Sequence, residues 1–139
     1  MASSHINDLI RSAALKYIET GDLGEYITFE PTVAAASGTI TSYTSSGTYT
    51  RIGDMVHCSI LVTITNHGTG AGDHKVTPPF NAAFVSTGIG RENGVSGALL
   101  QGNVSTGSAI LSCLTSANAT PIATNAQVRM TITYRAAAL

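Results

Sequence analysis

The spacing of apolar residues changes along the chain from a helical period to a strand period. Between residues 5 and 20, apolar side chains recur on one helical face, at Leu9, Ile10, Ala13, Ala14, Tyr17 and Ile18. Gly21 stands where a helix-terminating glycine belongs. The pattern therefore predicts a short α-helical arm over residues 1–24, followed by a separate β domain over residues 25–139.

The predicted arm needs a protein surface to cover its apolar stripe. An isolated helix of about four turns is marginal in water. Two arrangements remain open: the stripe packs against its own domain, or the arm reaches a neighbouring subunit. The residues that we expect to make this contact are Leu9, Ile10, Ala13, Tyr17 and Ile18.

After residue 25, apolar and polar residues alternate with the period of a β-strand. The two clearest alternations cover residues 55–65 and 127–135, and each leaves one apolar face and one mostly polar face. Shorter alternations predict strands at 26–33, 39–44, 48–52, 74–77, 83–87, 95–100 and 109–114, with a hairpin turn at Ser45, Ser46 and Gly47. Many short strands without strand–helix alternation predict a mostly-β protein, an antiparallel jelly roll or β-sandwich.

The composition indicates a surface that is poor in charge. Only 11% of the residues are charged and the formal net charge is −1, against roughly 25% charged residues in an average soluble domain. We therefore expect neither a nucleic-acid partner nor a membrane partner. Threonine, serine and glycine occupy the outward strand positions instead, which favours packing against copies of the same chain or a larger assembly.

Residues with catalytic or metal-binding chemistry are not arranged in recognisable motifs. The four histidines lack the spacing of a zinc site, and the eight acidic residues form no evident catalytic pair. The glycine-rich loop at 68–72 joins two predicted strands, unlike a phosphate-binding loop. We therefore predict that the protein is not an enzyme and uses no metal, cofactor or small-molecule substrate.

Three outward positions of the predicted strands are candidate partner contacts: His57, Leu61 and Arg129. Cys58 and Cys113 lie in apolar segments and are predicted to be buried free thiols. The N-terminal residues lack the pattern of a secretory signal, which predicts assembly in a cytoplasm.

The run from Gly47 to Phe80 resembles the β-rich virion proteins of tailed bacteriophages. In these proteins a G-x-Y-x-R-I-G turn leads into a long strand, then a glycine–threonine loop and a short strand ending in Pro-Phe. The matching residues here are Gly47, Tyr49, Arg51, Ile52, Gly53, Val56, Ile60, Val62, Gly68, Thr69, Gly70, Val76, Pro79 and Phe80. The resemblance implies that Gly53 forms the tight turn and that Tyr49 and Ile52 fill one end of the core.

Two virion roles are consistent with this resemblance. A short helical segment ahead of the β domain favours a capsid cement or decoration protein, which binds the outside of a phage head and stabilises contacts between major capsid protein subunits. Its partners would be the major capsid protein and itself, as a homodimer or homotrimer, at the virion surface after assembly in the host cytoplasm. The alternative is a receptor-binding tail-fibre tip or adaptor, with its recognition surface at residues 66–73 and 90–94.

Overall fold

Nine β-strands form one antiparallel sheet in the computed structural model, which describes residues 25–138. They are β1 (Ile27–Phe29), β2 (Val33–Ser37), β3 (Ser42–Ile52), β4 (Met55–Asn66), β5 (Ala71–Val76), β6 (Ser86–Glu92), β7 (Leu99–Val104), β8 (Leu111–Thr115) and β9 (Gln127–Arg135). Across the sheet their order is β1-β3-β4-β9-β6-β7-β8-β5-β2. The predicted mostly-β antiparallel class is confirmed, whereas the predicted arm, residues 1–24, lies outside the described residues. Within residues 25–138, no helix is long and apolar enough to span a membrane.

The sheet curls strongly because its two edge strands are consecutive in the chain. β1 and β2 lie at opposite ends of the sheet order, yet only residues 30–32 separate them. An extended chain crosses such a gap over at most about 14 Å, so the two edges approach each other in a half-barrel. Pro31 lies in this crossing, and its carbonyl oxygen accepts a 2.6 Å hydrogen bond from the Ser45 hydroxyl. The sequence predicted one strand over 26–33, and the structure has two edge strands that meet at this proline.

The inner face of the half-barrel holds the hydrophobic core. β4 and β9 contribute alternate side chains to it, as their alternation predicted: Val56, Cys58, Ile60, Val62, Ile64, Val128, Met130, Ile132 and Tyr134 are all buried. Their neighbours in sequence point to the opposite, outer face. A sheet with a single core side is therefore confirmed.

The hairpin turn predicted at Ser45, Ser46 and Gly47 is wrong, because β3 runs unbroken from Ser42 to Ile52. Gly47 pairs with Ile60 of β4, and the ring of Phe29 occupies the space where a larger side chain would lie. The glycine therefore serves close packing rather than a turn. The real turn is Gly53-Asp54, and Gly53 has the positive φ of 60° that a tight two-residue hairpin needs.

Replacing Gly47 with alanine is expected to lower the free energy of unfolding by about 1–3 kcal/mol, since a Cβ there overpacks against the Phe29 ring. Urea unfolding followed by circular dichroism measures the loss. The Phe29→Ala/Gly47→Ala double variant should lose less than the sum of the two single variants, because the shortened Phe29 leaves room for the new methyl group. Strict additivity would show that this contact does not constrain β1.

One end of the core is closed by aromatic rings, as the resemblance implied for Tyr49. Its ring stands edge-on to Phe29 and Phe80, with centroids 5.8 and 5.2 Å away. The Tyr134 hydroxyl donates to the Phe80 carbonyl oxygen at 3.0 Å and accepts from the Phe80 amide at 3.2 Å. The same expectation for Ile52 is wrong, because this residue lies on the outer face and is exposed.

Candidate functional site

The outer face of β1, β3, β4, β9 and β6 is covered largely by hydroxyl groups. Its outward-pointing serines and threonines are Thr28, Thr44, Ser46, Thr48, Thr50, Ser59, Thr63, Thr87, Thr131 and Thr133. These are positions at which a solvent-exposed sheet usually carries charged residues. Uncharged hydroxyl groups thus occupy many positions of one continuous surface.

A groove of about 630 Å³ crosses this outer face from β1 to β6, and we call it the outer groove. It is lined by Thr28, Phe29, Ser46, Gly47, Thr48, Ser59, Ile60, Leu61, Gly90, Arg91, Arg129, Met130 and Thr131. Two of the predicted contact residues meet there, because Leu61 is the register partner of Arg129. Leu61 is 37% exposed and is the one apolar side chain among the register-aligned residues Ser46, Leu61, Arg129 and Arg91.

Arg91 belongs to residues 90–94, which the sequence predicts as a turn on the recognition surface of the receptor-binding alternative. The predicted turn is wrong for this residue, because Arg91 lies in β6 directly opposite Arg129 of β9. The signal was present in the alternation of Ser86 to Glu92, in which glycines at every second position face inward. Like charges directly opposite each other on a sheet are destabilising, so this pair needs an energetic compensation.

Carboxylates among residues 25–138 do not supply that compensation. The ion pairs in this part of the chain join Asp54 to Arg51 at 3.8 Å and to Arg135 at 3.6 Å. Arg129 donates a hydrogen bond of 3.4 Å from Nη2 to Gln127 Oε1. Arg91 and Arg129 are register partners that line the same open groove. A guanidinium group is suited to binding a carboxylate or phosphate, which it can contact through two parallel N–H groups.

The loop that follows β6 is held in place beside Arg91 by a buried carboxylate. A Cβ on Gly97 would lie 3.5 Å from Arg91 Nη2, so the loop passes close to the guanidinium. Glu92 is only 1% exposed and accepts hydrogen bonds from the backbone amides of Gly94 at 2.6 Å and Val95 at 3.0 Å. It also accepts from the amide and hydroxyl of Ser96 and the amides of Gly97 and Gln127.

These donors determine the ionisation of Glu92. Burial alone would raise the pKa of its carboxyl group, but the backbone amides of Ser96, Gln127 and Gly94 outweigh burial and lower the pKa to about 2. The carboxylate is therefore ionised at neutral pH. Nothing in the sequence indicated this network, because its donors come from both the following loop and β9.

His57 lies on the same outer face but outside the groove. Its Nδ1 is 2.9 Å from the Thr133 hydroxyl on the neighbouring strand, and its side chain is exposed. The outward position predicted for it is correct. Of the three predicted sheet-face residues, the structure brings Leu61 and Arg129 together and leaves His57 nearer the end of the face.

A second groove, of about 480 Å³, lies on the outer face of β5, β8, β7 and β6, and we call it the amide groove. Its side chains are mostly polar: Asp73, Thr87, Gln101, Asn103, Ser112, Leu114 and Asn118. Gln101 donates from Nε2 to Asn118 Oδ1 at 2.6 Å and to the Thr115 carbonyl oxygen at 3.1 Å. Amide side chains both donate and accept hydrogen bonds, so this groove can bind a neutral polyhydroxyl ligand.

The loop at 66–73, named for the receptor-binding alternative, is mostly tied to the sheet. The Thr69 amide donates to the Thr39 carbonyl oxygen at 3.1 Å, and the Thr69 hydroxyl accepts from the Thr39 amide at 3.0 Å. Gly68 has a φ of 57° and packs against Thr41. Only Asp73 of this segment lines the amide groove.

His74 is fully buried on the inner face, beside Cys113 of β8. Neither of its ring nitrogens has a hydrogen-bond partner among the described residues. Burial lowers the pKa of His74 to about 4, so the ring is neutral. The sequence predicted His74 as the first residue of a strand over 74–77 and did not indicate that its side chain is buried.

Cys58 and Cys113 are free and buried, as predicted. Burial raises the pKa of each thiol to about 12, which makes the thiolate form scarce and both residues unreactive at neutral pH. Among residues 25–138, no group of three or more His, Cys, Asp or Glu side chains could hold a metal ion.

Comparisons with known proteins give no relative for this chain: no family model, curated protein or solved structure matches it.

Proposed function

We propose that this protein is a capsid cement, or decoration, protein that binds the outside of a phage head and stabilises contacts between major capsid protein subunits. In this proposal the curled antiparallel sheet belongs to the jelly-roll type, and the outer face of β1, β3, β4, β9 and β6 is its docking surface. The protein is a passive structural component and not an enzyme. The observation that carries the proposal is the pairing of Arg91 with Arg129 in a groove that is otherwise lined by uncharged residues.

The chemistry of that face favours a protein partner. Removing water from a hydroxyl group costs less free energy than removing it from a charged group. A threonine-covered sheet can therefore pack flat against another protein. The arginine pair then provides orientation, because an acidic side chain of a shell subunit can bind both guanidinium groups. Weak contacts of this kind become strong when they are repeated by an oligomer on a symmetric lattice.

The amide groove supports a second candidate function, a receptor-binding tail-fibre tip or adaptor. Asp73, Gln101 and Asn103 line the same groove and can form hydrogen bonds with the hydroxyl groups of a cell-surface glycan. Copy number separates the two functions. Many copies on every purified shell favour the cement role, and a few copies confined to the tail favour the fibre role.

The Arg91→Gln/Arg129→Gln double variant is expected to bind phage shells that lack this protein at least about tenfold more weakly than the wild type, since charge-assisted pairs are lost. Co-sedimentation of the full-length protein with such shells measures the affinity. Lys75→Gln on β5 is the matched control, because it removes one cation outside the outer groove. It should bind as the wild type does.

Two results would count against the proposal in different ways. If the double variant binds shells like the wild type, the outer groove is not the docking surface. If the wild type itself does not bind shells, the cement function is wrong.

A further inference from the structure

One end of the outer face carries a contiguous apolar surface that we call the end patch: Tyr26, Ile52, Met55, Phe84 and Val85. Each of these side chains is more than half exposed, and together they are half of the ten large apolar residues exposed within residues 25–138. Single exposed apolar residues are normal, but a contiguous group of them marks an interaction surface.

The residues of the end patch are neighbours because of the sheet register and because Arg135 contacts one of them. Ile52 and Met55 are partners across the turn between β3 and β4, and Met55 is in turn the partner of Arg135. The Arg135 guanidinium lies 5.4 Å from the centre of the Phe84 ring, and Val85 follows directly. The patch thus crosses from β3 over β4 and β9 to the segment that leads into β6.

The segment ahead of β1 enters the fold at this patch. Ile27 pairs with Tyr49, which places Tyr26 on the outer side of the same edge, next to Thr50 and two positions from Ile52. β1 then runs away from the patch towards the outer groove, where Thr28 lies. The described part of the chain therefore begins beside the exposed apolar side chains, at the point to which residues 1–24 connect.

We propose that residues 5–20 form the amphipathic helix indicated by their pattern and dock intramolecularly on the end patch. The face formed by Leu9, Ile10, Ala13, Ala14, Tyr17 and Ile18 has the apolar character that the patch requires. This inference goes beyond the proposed function and does not depend on it. It resolves the two arrangements left open for the arm in favour of its own domain.

Length and connection favour the chain's own segment over that of a second copy. A helix of sixteen residues is about 24 Å long. The patch, with Tyr26 included, crosses five neighbouring positions of the sheet, a width of about 19 Å at the usual strand spacing. Residues 21–25 form a short link that contains Gly21 and Gly24. A link of this kind gives a millimolar effective concentration, which a second copy in dilute solution does not reach.

Photo-crosslinking of the full-length protein tests the docking. A Lys16→Cys variant places one reactive thiol at the edge of the stripe, and a benzophenone maleimide labels it selectively because Cys58 and Cys113 are buried. After illumination, mass spectrometry should find crosslinks to the peptides that contain residues 52–55 or 84–85. Mixing ¹⁵N-labelled and unlabelled protein should show that these crosslinks lie within one chain.

A matched pair of second substitutions makes the result specific. Val85→Asp in the Lys16→Cys background should lower the crosslink yield about tenfold or more, since a carboxylate is not buried in an apolar contact without a partner. Leu99→Asp should leave the yield unchanged, because Leu99 is as exposed as Val85, at 59% against 63%, but lies outside the patch.

Three results would overturn the inference. Crosslinks between differently labelled chains would show that the patch binds the arm of a second copy. Crosslinks to other surfaces would show that the arm does not dock on the end patch. Equal yields in the two aspartate variants would show that apolar contact with the patch does not hold the arm. Since no shell is present, none of these outcomes bears on the cement function.

Discussion

Replacing Glu92 with alanine is expected to lower the free energy of unfolding by about 3–5 kcal/mol, the loss that follows when one partner of a buried charged network is removed. The carboxylate accepts from the amides of Gly94, Val95, Ser96, Gly97 and Gln127, and from the Ser96 hydroxyl. Without the carboxylate, these donors in the loop after β6 and at the start of β9 lose their acceptor. Urea unfolding at pH 7 measures the effect.

Two further variants show whether charge or size is responsible. Glu92→Gln keeps the size of the side chain but replaces an accepting oxygen with a donating amide, so an intermediate loss of about 1–3 kcal/mol is expected. Glu30→Gln removes an exposed carboxylate and should change stability by less than about 0.5 kcal/mol. If Glu92→Ala were as stable as Glu30→Gln, the loop would not depend on this carboxylate.

The same network predicts a loss of stability in strong acid. The pKa of Glu92 is about 2 in the folded protein against 4.5 in the unfolded chain, so its contribution is complete above pH 4.5 and is lost as the pH falls towards 2. The difference corresponds to about 3 kcal/mol. Loosening of this loop would also affect the outer groove, since Arg91 lies beside Gly97.

The strands that the sequence predicted well are those whose inner and outer sides differ most. β4 and β9 carry apolar residues at every inward position and mostly polar residues at the outward positions, and both were predicted almost to the residue. Such a pattern is sufficient because a one-residue shift would expose every core side chain of the strand.

β3 and β6 were predicted poorly because their glycines resemble turn residues. Gly47 is small because the ring of Phe29, eighteen positions earlier in the chain, packs over it. A Cβ on Gly90 would overlap the Arg129 carbonyl group and the Met130 sulfur of β9. Both reasons involve strands that are distant in sequence, so local turn propensity gave the wrong interpretation.

The sequence predicted only part of the candidate site, because the rest depends on contacts between residues that are distant in sequence. Leu61 and Arg129 could be selected as outward positions of clear strands, but their pairing depends on register. Arg91 was hidden in the misassigned turn. The network around Glu92 and the burial of His74 depend on contacts between loops and strands, for which a single sequence carries no local signal.

The buried His74 ring is expected to make the folded protein less stable in mild acid. Its pKa is about 4 in the folded state against 6.5 in the unfolded chain, so between these values the unfolded chain binds a proton that the folded protein does not. Stability should therefore fall as the pH drops from 6.5 to 4, by up to about 3 kcal/mol. Urea midpoints measured at half-unit pH steps would show the slope.

Replacing His74 with leucine should remove that slope and raise the stability at pH 7 by about 1 kcal/mol or more, because two ring nitrogens without partners in residues 25–138 are no longer buried. His57→Gln on the outer face is the control for loss of a histidine that is not buried. The acid loss that remains in His74→Leu should begin only below pH 4.5, where Glu92 starts to bind a proton in the unfolded chain. A variant that still loses stability between pH 6.5 and 4.5 would mean that another group controls the acid response, since the windows of His74 and Glu92 barely overlap.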